Sequence, residues 1–126
     1  MGTLNLLNIG DKAPIFSFKD PDSGEIRDTS TLLGKPFLVY FYPRDNTPGC
    51  TKEACGFRDL FHQFQEAGVF IIGVSCDTEV KHDKFRAKYD LPFPLVADID
   101  KKLVKEFGVW ASKTFMGRIF DGIHRV

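Results

Sequence analysis

Two cysteines five positions apart, Cys50 and Cys55, are the residues whose types and spacing point most directly to chemistry. Cys50 follows the apolar run of residues 37–42 and a short loop rich in turn-forming residues. A thiol at a helix start has its ionised form stabilised by unpaired backbone N–H groups and by the helix dipole. The pattern indicates a reactive thiol at Cys50, with Cys55 as a partner that captures its oxidised product.

The spacing of the two cysteines also sets a geometric condition. Five residues along an ideal helix place the Cα atoms roughly 8.5 Å apart, whereas a disulfide needs them within about 7 Å. If Cys50 and Cys55 are redox partners, the first turns of the helix must therefore unwind. Pro48 and Gly49 suit such a helix start, because proline fits the first turn and glycine costs about 1 kcal/mol of helix stability.

Other roles for these side chains have to be weighed. A cysteine is more often a small buried hydrophobe than a nucleophile, and Cys76, after an apolar strand, is expected to be a buried or half-buried inert thiol. A zinc site is disfavoured, because the single C-x-x-x-x-C pair lacks a second ligand pair. The histidines show no ligand spacing and are expected at the surface: His62, His82 and His124.

Composition limits the class of protein. The 126 residues are 43% hydrophobic, which predicts one globular domain over residues 1–126. Lys+Arg and Asp+Glu both total 17, which argues against partners such as nucleic acid or an anionic membrane. Three cysteines, an odd number, favour a reducing compartment over a disulfide framework. With no long apolar run, we expect a cytoplasmic protein that crosses no membrane.

The elements that must position the cysteines follow from apolar periodicity and turn residues. The sequence predicts an opening hairpin, then strands that alternate with helices, and hence an α/β fold with a central mixed sheet flanked by helices. The reactive loop then lies beyond the carboxyl end of the first buried strand. The predicted elements are a hairpin over residues 13–28, a helical turn at 30–33, strands at 37–42, 69–75 and 93–97, and helices at 50–67, 79–89 and 101–107.

The loop carries a family resemblance. Pro43, Thr47 and Cys50 stand in a spacing that resembles the active-site signature of peroxiredoxins. The stretch FYPRDNTPGCTKEACGFRD resembles the peroxiredoxin Q / bacterioferritin comigratory protein branch, in which a resolving cysteine lies five positions after the peroxidatic one, as Cys55 does here. The similarity continues through GVSCDT, LPFPLVADID and KEFGVW, and so covers essentially the whole chain.

The resemblance implies a thioredoxin-like fold and the reduction of hydrogen peroxide and organic hydroperoxides. Cys50 would be oxidised to a sulfenic acid by the peroxide. Cys55 would condense with it to an intrachain disulfide, which thioredoxin or a similar dithiol reduces. The family needs no metal, flavin or haem, and the chain is expected to be a monomer or weak dimer.

Supporting roles also follow from matching positions. Thr47 would offer its hydroxyl and backbone to the peroxide oxygens, and Pro43 would shield the thiolate. Arg125 matches the family's distant arginine, which would stabilise the thiolate and the charge that develops during transfer. Glu53, one helical turn after Cys50, would hold that arginine by a charge-assisted hydrogen bond.

The chain departs from the family pattern at its end. Val126 follows directly after Arg125, where the family has a strand, a second strand and a C-terminal helix. We therefore expect the domain to lack those elements, with an unpaired edge beside residues 37–42. Two other functions stay open: a truncated module that depends on a partner or acts as a thiol sensor, and a thioredoxin-like disulfide oxidoreductase, although the latter favours a C-x-x-C pair.

Overall fold

A computed structural model describes residues 6–8, 10–32, 34–115 and 117–126, with the backbone alone at residues 114 and 115. The strands are β1 (Ser17–Lys19), β2 (Ile26–Asp28), β3 (Phe37–Phe41), β4 (Phe70–Ser75), β5 (Leu95–Ala97), β6 (Trp110–Phe115) and β7 (Arg118–Ile123). The helices are α1 (Pro48–Asp59), α2 (Phe61–Glu66), α3 (Glu79–Tyr89) and α4 (Lys102–Glu106), with a 3₁₀ turn at Thr29–Leu32.

A parallel sheet of three strands, in the order β3-β4-β5, forms the centre of the fold. Alternate residues of β4 face opposite sides of it. Ile72 and Val74 join one apolar cluster with Phe41 and α4, whereas Ile71 joins a second with Cys50 and α3. The continuous apolar run that predicted a strand buried on both faces is thus confirmed for β4.

Two antiparallel hairpins accompany the central sheet. The β1–β2 hairpin confirms the prediction for residues 13–28, with shorter strands. The β6–β7 hairpin was not predicted. After β7 the chain runs back to β3, where Phe41 and Val126 exchange backbone hydrogen bonds with N···O distances of 2.7 and 3.4 Å. This pairing places Arg125 beside the strand that leads to Cys50.

The helix predicted over residues 50–67 is wrong in its bounds. The structure has two helices there, because Leu60 leaves helical geometry at φ −96° and ψ 1°. Phe57 of α1 and Phe64 of α2 pack together across the break, with ring centroids 6.1 Å apart. In α3 the prediction of residues 79–89 is confirmed, including a cap in which Thr78 Oγ1 accepts from the Lys81 N–H at 3.3 Å.

No helix within the described part of the chain has the length and apolar character that a membrane crossing requires.

Candidate active site

Cys50 lies in the first turn of α1, just beyond the carboxyl end of β3. The helix begins at Pro48, two residues earlier than predicted, and Thr47 is its N-cap residue. The Thr47 carbonyl accepts the first helical hydrogen bond, from the Thr51 N–H at 2.8 Å. Cys50 is only 2% exposed. Its thiol is therefore buried in the first turn of the helix, next to backbone N–H groups that have no partner within the helix.

Arg125 contacts two of the other predicted site residues, Cys50 and Glu53. Its Nη2 donates to Cys50 Sγ at 3.3 Å, and its Nη1 donates to Glu53 Oε1 at 2.6 Å. Gly49 permits this approach, since a Cβ there would lie 3.3 Å from Nη2. Cys50, Glu53 and Arg125, predicted from distant parts of the sequence, therefore meet at one point.

The Arg125–Glu53 ion pair is partly solvated, with side chains 39% and 23% exposed. Partial burial acts to lower the pKa of Arg125, but the hydrogen bond and charge of Cys50, followed by those of Glu53, outweigh it and raise the pKa. The guanidinium therefore stays charged beside the sulfur. An exposed pair of this kind adds little to stability, so its main effect is to orient Arg125.

Pro43 and Thr47 lie on the loop before Cys50 and line an open cleft of about 790 Å³. The Thr47 hydroxyl donates to the Arg44 carbonyl at 3.0 Å, so in this conformation its proton is turned toward the loop backbone. Trp110 and Phe120, from the β6–β7 hairpin, provide apolar wall to the same cleft.

One cation that lines the cleft and lies near Arg125, Lys113, was missed from the sequence. Its Nζ donates to the Ile123 carbonyl at 2.7 Å. The pKa of Lys113 is lowered, mainly by partial burial and to a smaller extent by repulsion from Arg125. The unpredicted strand β6 explains why sequence reasoning did not place this residue at the site.

The other two cysteines differ from each other in position and character. Cys55 lies half-buried on α1, in the same unbroken helix as Cys50, so the predicted need to unwind the helix holds for this geometry. Cys76 is half-buried, as predicted, and lines the cleft. Burial, together with the charge of Asp98, raises the pKa of Cys76 to about 11. A thiol that stays protonated is a poor nucleophile.

The prediction that His82 lies at the surface is wrong. His82 is 2% exposed and its Nδ1 is 2.6 Å from Asp45 Oδ2, directly under the loop that precedes Cys50. It shares the buried face of α3 with Phe85, three residues later. That i, i+3 spacing was the sequence signal that could have placed the imidazole inside. His62 is exposed, as predicted.

The family assignment follows from comparison with known proteins. Residues 9–122 match the model of the AhpC/TSA family. The chain belongs to this family. Peroxiredoxin Bcp of Escherichia coli strain K12 is 46% identical over 123 residues, which cover 98% of this chain and 78% of that protein. Peroxiredoxin Bcp of Bacillus subtilis strain 168 is 47% identical over 119 residues, 94% of this chain and 75% of that protein.

Solved structures agree with this assignment. The bacterioferritin comigratory protein of Xanthomonas campestris matches with a TM-score of 0.78 and 36% identity, over 98% of this chain and 75% of that chain. Peroxiredoxin Q from the same organism matches with a TM-score of 0.77 and 38% identity, over 87% of this chain and 69% of that chain. The chain therefore has the thioredoxin-like peroxiredoxin fold and is a thiol-dependent peroxidase of the AhpC/TSA family.

Proposed function

We propose that this chain reduces hydrogen peroxide and organic hydroperoxides with Cys50 as the peroxidatic and Cys55 as the resolving cysteine. The observation that carries the proposal is the contact between Arg125 Nη2 and Cys50 Sγ, at 3.3 Å. A fixed cation at this distance stabilises a thiolate. It also stabilises the negative charge that spreads onto oxygen during transfer.

The first step is an attack of the Cys50 thiolate on one peroxide oxygen. The S–O bond forms, the O–O bond breaks, and the second oxygen leaves as an alkoxide or hydroxide that takes up a proton to become alcohol or water. Cys50 is thereby oxidised to the sulfenic acid. Arg125 stays charged throughout this step, since Glu53 holds it at 2.6 Å and its pKa is raised.

The second step is condensation of Cys55 with the sulfenic acid. The Cys55 sulfur attacks the Cys50 sulfur, the S–OH bond breaks, and water leaves as the disulfide forms. A dithiol then reduces the disulfide, and two electrons return both cysteines to the thiol state. The condensation requires α1 to unwind first, because both cysteines lie within that helix.

Pro43 and Thr47 direct the peroxide in this account. Both residues line the cleft on the loop before Cys50. In our proposal Pro43 shields the thiolate, and the Thr47 hydroxyl turns from the Arg44 carbonyl to contact the peroxide oxygens. The apolar side chains of Trp110 and Phe120 suit an alkyl substituent. Alkyl peroxide reduction is the activity named for the related Xanthomonas campestris bacterioferritin comigratory protein.

Burial of the thiol favours peroxide over a protein disulfide as the oxidant. Cys50 is 2% exposed, which excludes a bulky protein disulfide from its sulfur in this conformation but not a small peroxide. Thioredoxin or a similar dithiol acts later, when α1 is unwound. Three free thiols suit a reducing cytoplasm, and the proposed cycle operates in a monomer or weak dimer.

The test is peroxide consumption with dithiothreitol or a thioredoxin system as the reductant. We expect turnover by the unaltered chain and by Cys76→Ser, and none above background by Cys50→Ser. Equal consumption by the unaltered chain and Cys50→Ser would refute the proposal. A protein that is inactive with peroxide but reduces insulin disulfides would instead support disulfide exchange.

A further inference from the structure

The loop before Cys50 is fastened by a buried pair of ionisable side chains, Asp45 and His82. Their side chains are 5% and 3% exposed, and Asp45 Oδ2 lies 2.6 Å from His82 Nδ1. Tyr42, the residue after β3, donates its hydroxyl to the other oxygen, Asp45 Oδ1, at 2.6 Å. The pKa of Tyr42 is raised, mainly by burial and to a smaller extent by the charge of Asp45. This hydroxyl therefore keeps its proton.

The hydrogen-bond partners determine how many protons the pair holds. His82 Nε2 lies 3.0 Å from the Val96 carbonyl oxygen, which can only accept, so Nε2 carries a hydrogen. His82 Nδ1 faces a carboxylate oxygen, so a second proton must lie between Nδ1 and Oδ2. With a single ring hydrogen, either Nδ1 and Asp45 Oδ2 or Nε2 and the Val96 oxygen would bring two lone pairs together in a buried site. The two contacts can therefore exist together only while both protons are retained.

Charged side chains of both signs surround the pair. On its open side, His82 shares a depression with four carboxylates and two cations, namely Asp20, Asp22, Glu79, Asp83, Lys19 and Arg86. On the loop side it faces Asp45 and Tyr42. Asp45 and Asp77 line a second depression together with four cations, namely Arg44, Lys81, Lys84 and Lys88. The charges on the two sides oppose each other, so the hydrogen-bond partners of His82, rather than the surrounding field, determine which ring hydrogens it carries.

Two residues of the loop, Asp45 and Asn46, are tied to the scaffold at further points. The Asp45 N–H donates to Asp77 Oδ2 at 2.7 Å. Asn46 Oδ1 accepts from Lys88 Nζ at 3.3 Å and from the Tyr89 hydroxyl at 3.2 Å, both on α3. Asn46 itself has a left-handed backbone, with φ 59°. The loop is thus held up to Asn46 by α3 and by Asp77, which follows β4, and α1 begins two residues after Asn46.

We propose that Asp45 and His82 are positioning residues of the peroxidase, which form a proton-sharing clamp on the loop before Cys50. The proposal rests on the proposed function. The clamp keeps residues 43–46 in place while α1 unwinds beyond Asn46 to form the disulfide. When α1 reforms, Cys50 returns to Arg125. Loss of one proton breaks one of the two contacts of His82, to Asp45 or to Val96. The loop is then held less firmly and no longer fixes the position of Cys50.

Two experiments test the clamp. The first is single-turnover oxidation of Cys50 by hydrogen peroxide across pH, in the unaltered chain, His82→Gln and Asp45→Asn. His62→Gln is the matched control, because His62 is 81% exposed and contacts only Glu66 among the ion pairs of the described residues. We expect both clamp variants to slow oxidation about tenfold or more, and the unaltered chain and control to share an alkaline decline that His82→Gln lacks. Lower thermal stability with an unchanged oxidation rate and pH profile would overturn the proposal.

The second experiment needs no variant and no peroxide, so it stands even if the clamp variants fail to fold or the proposed function fails. NMR of the unaltered chain follows the ring N–H signals of His82 and the backbone amides of residues 45–47 through a pH titration. We expect both ring N–H signals at neutral pH, and loop amides that shift with the same midpoint as the ring. If the chemical shifts of the loop amides do not change as His82 titrates, the clamp is contradicted.

Discussion

The Nη2 atom of Arg125 lies 3.3 Å from the sulfur of Cys50, although the two residues are 75 positions apart. Three features bring them together. Val126 pairs with Phe41 at the end of β3, Glu53 holds the guanidinium from α1, and Gly49 leaves room for it. The contact therefore joins the central sheet, helix α1 and the segment after β7 at Cys50.

Replacement of Arg125 tests the electrostatic part of the mechanism. Arg125→Met keeps much of the side-chain length and removes the charge, so the rate constant for Cys50 oxidation by hydrogen peroxide should fall about 100-fold, as when one transition-state donor is lost. Stopped-flow measurement of single-turnover oxidation gives this constant. The control is Arg118→Met, on the exposed part of β7, which should react like the unaltered chain. An equal rate in all three proteins would exclude a catalytic role for Arg125.

Gly56 offers a test of helix unwinding. It lies in α1, next to Cys55, and a Cβ there would meet no heavy atom within 4 Å. Gly56→Ala should stabilise α1 by about 1 kcal/mol. If formation of the disulfide needs an unwound helix, it should slow by up to about fivefold, and Cys50 should be more prone to overoxidation.

The control for the Gly56→Ala variant is internal to the experiment. Attack of Cys50 on peroxide uses the folded helix, so its rate constant should not change. Rapid quenching with a thiol reagent and intact-mass analysis separates the two steps. Disulfide formation that is as fast as in the unaltered chain, in a measurably stabilised protein, would show that α1 does not limit the step.

The pH dependence of Cys76 alkylation follows from its environment. Its pKa is raised to about 11 by burial, so the reactive thiolate fraction should rise about tenfold per pH unit up to that value. In the Cys50→Ser/Cys55→Ser variant, labelling by iodoacetamide should still climb between pH 9 and pH 10. An ordinary thiol, with a pKa of about 8.5, levels off there. Glutathione is labelled in parallel as a reference thiol. If the labelling rate of Cys76 levels off at the same pH as that of glutathione, burial does not raise the pKa of Cys76.

Local patterns were sufficient to predict much of the fold. The apolar runs predicted β3 and β4, and the cap at Thr78 with its following periodicity predicted α3 over residues 79–89. These elements depend on neighbours in sequence, so their signals are present in short windows. The break at Leu60 was missed because the helical apolar spacing from Phe57 to Phe64 continues across it and no glycine or proline marks it.

The site was predictable only in part. The Cys50–Cys55 spacing indicated redox chemistry and helix unwinding, but Arg125 and Glu53 came from the family resemblance alone. Their meeting depends on tertiary pairing of Val126 with Phe41. The burial of His82 against Asp45, 37 positions away, likewise depends on how α3 packs over the loop.

The most direct test of the account is to map the cysteines after one equivalent of hydrogen peroxide has reacted with the reduced chain. Peptide mass analysis under non-reducing conditions identifies the bond that forms. The mechanism predicts a disulfide between Cys50 and Cys55, with Cys76 still a free thiol. A disulfide that includes Cys76, or a full complement of free thiols after the peroxide has been consumed, would contradict it.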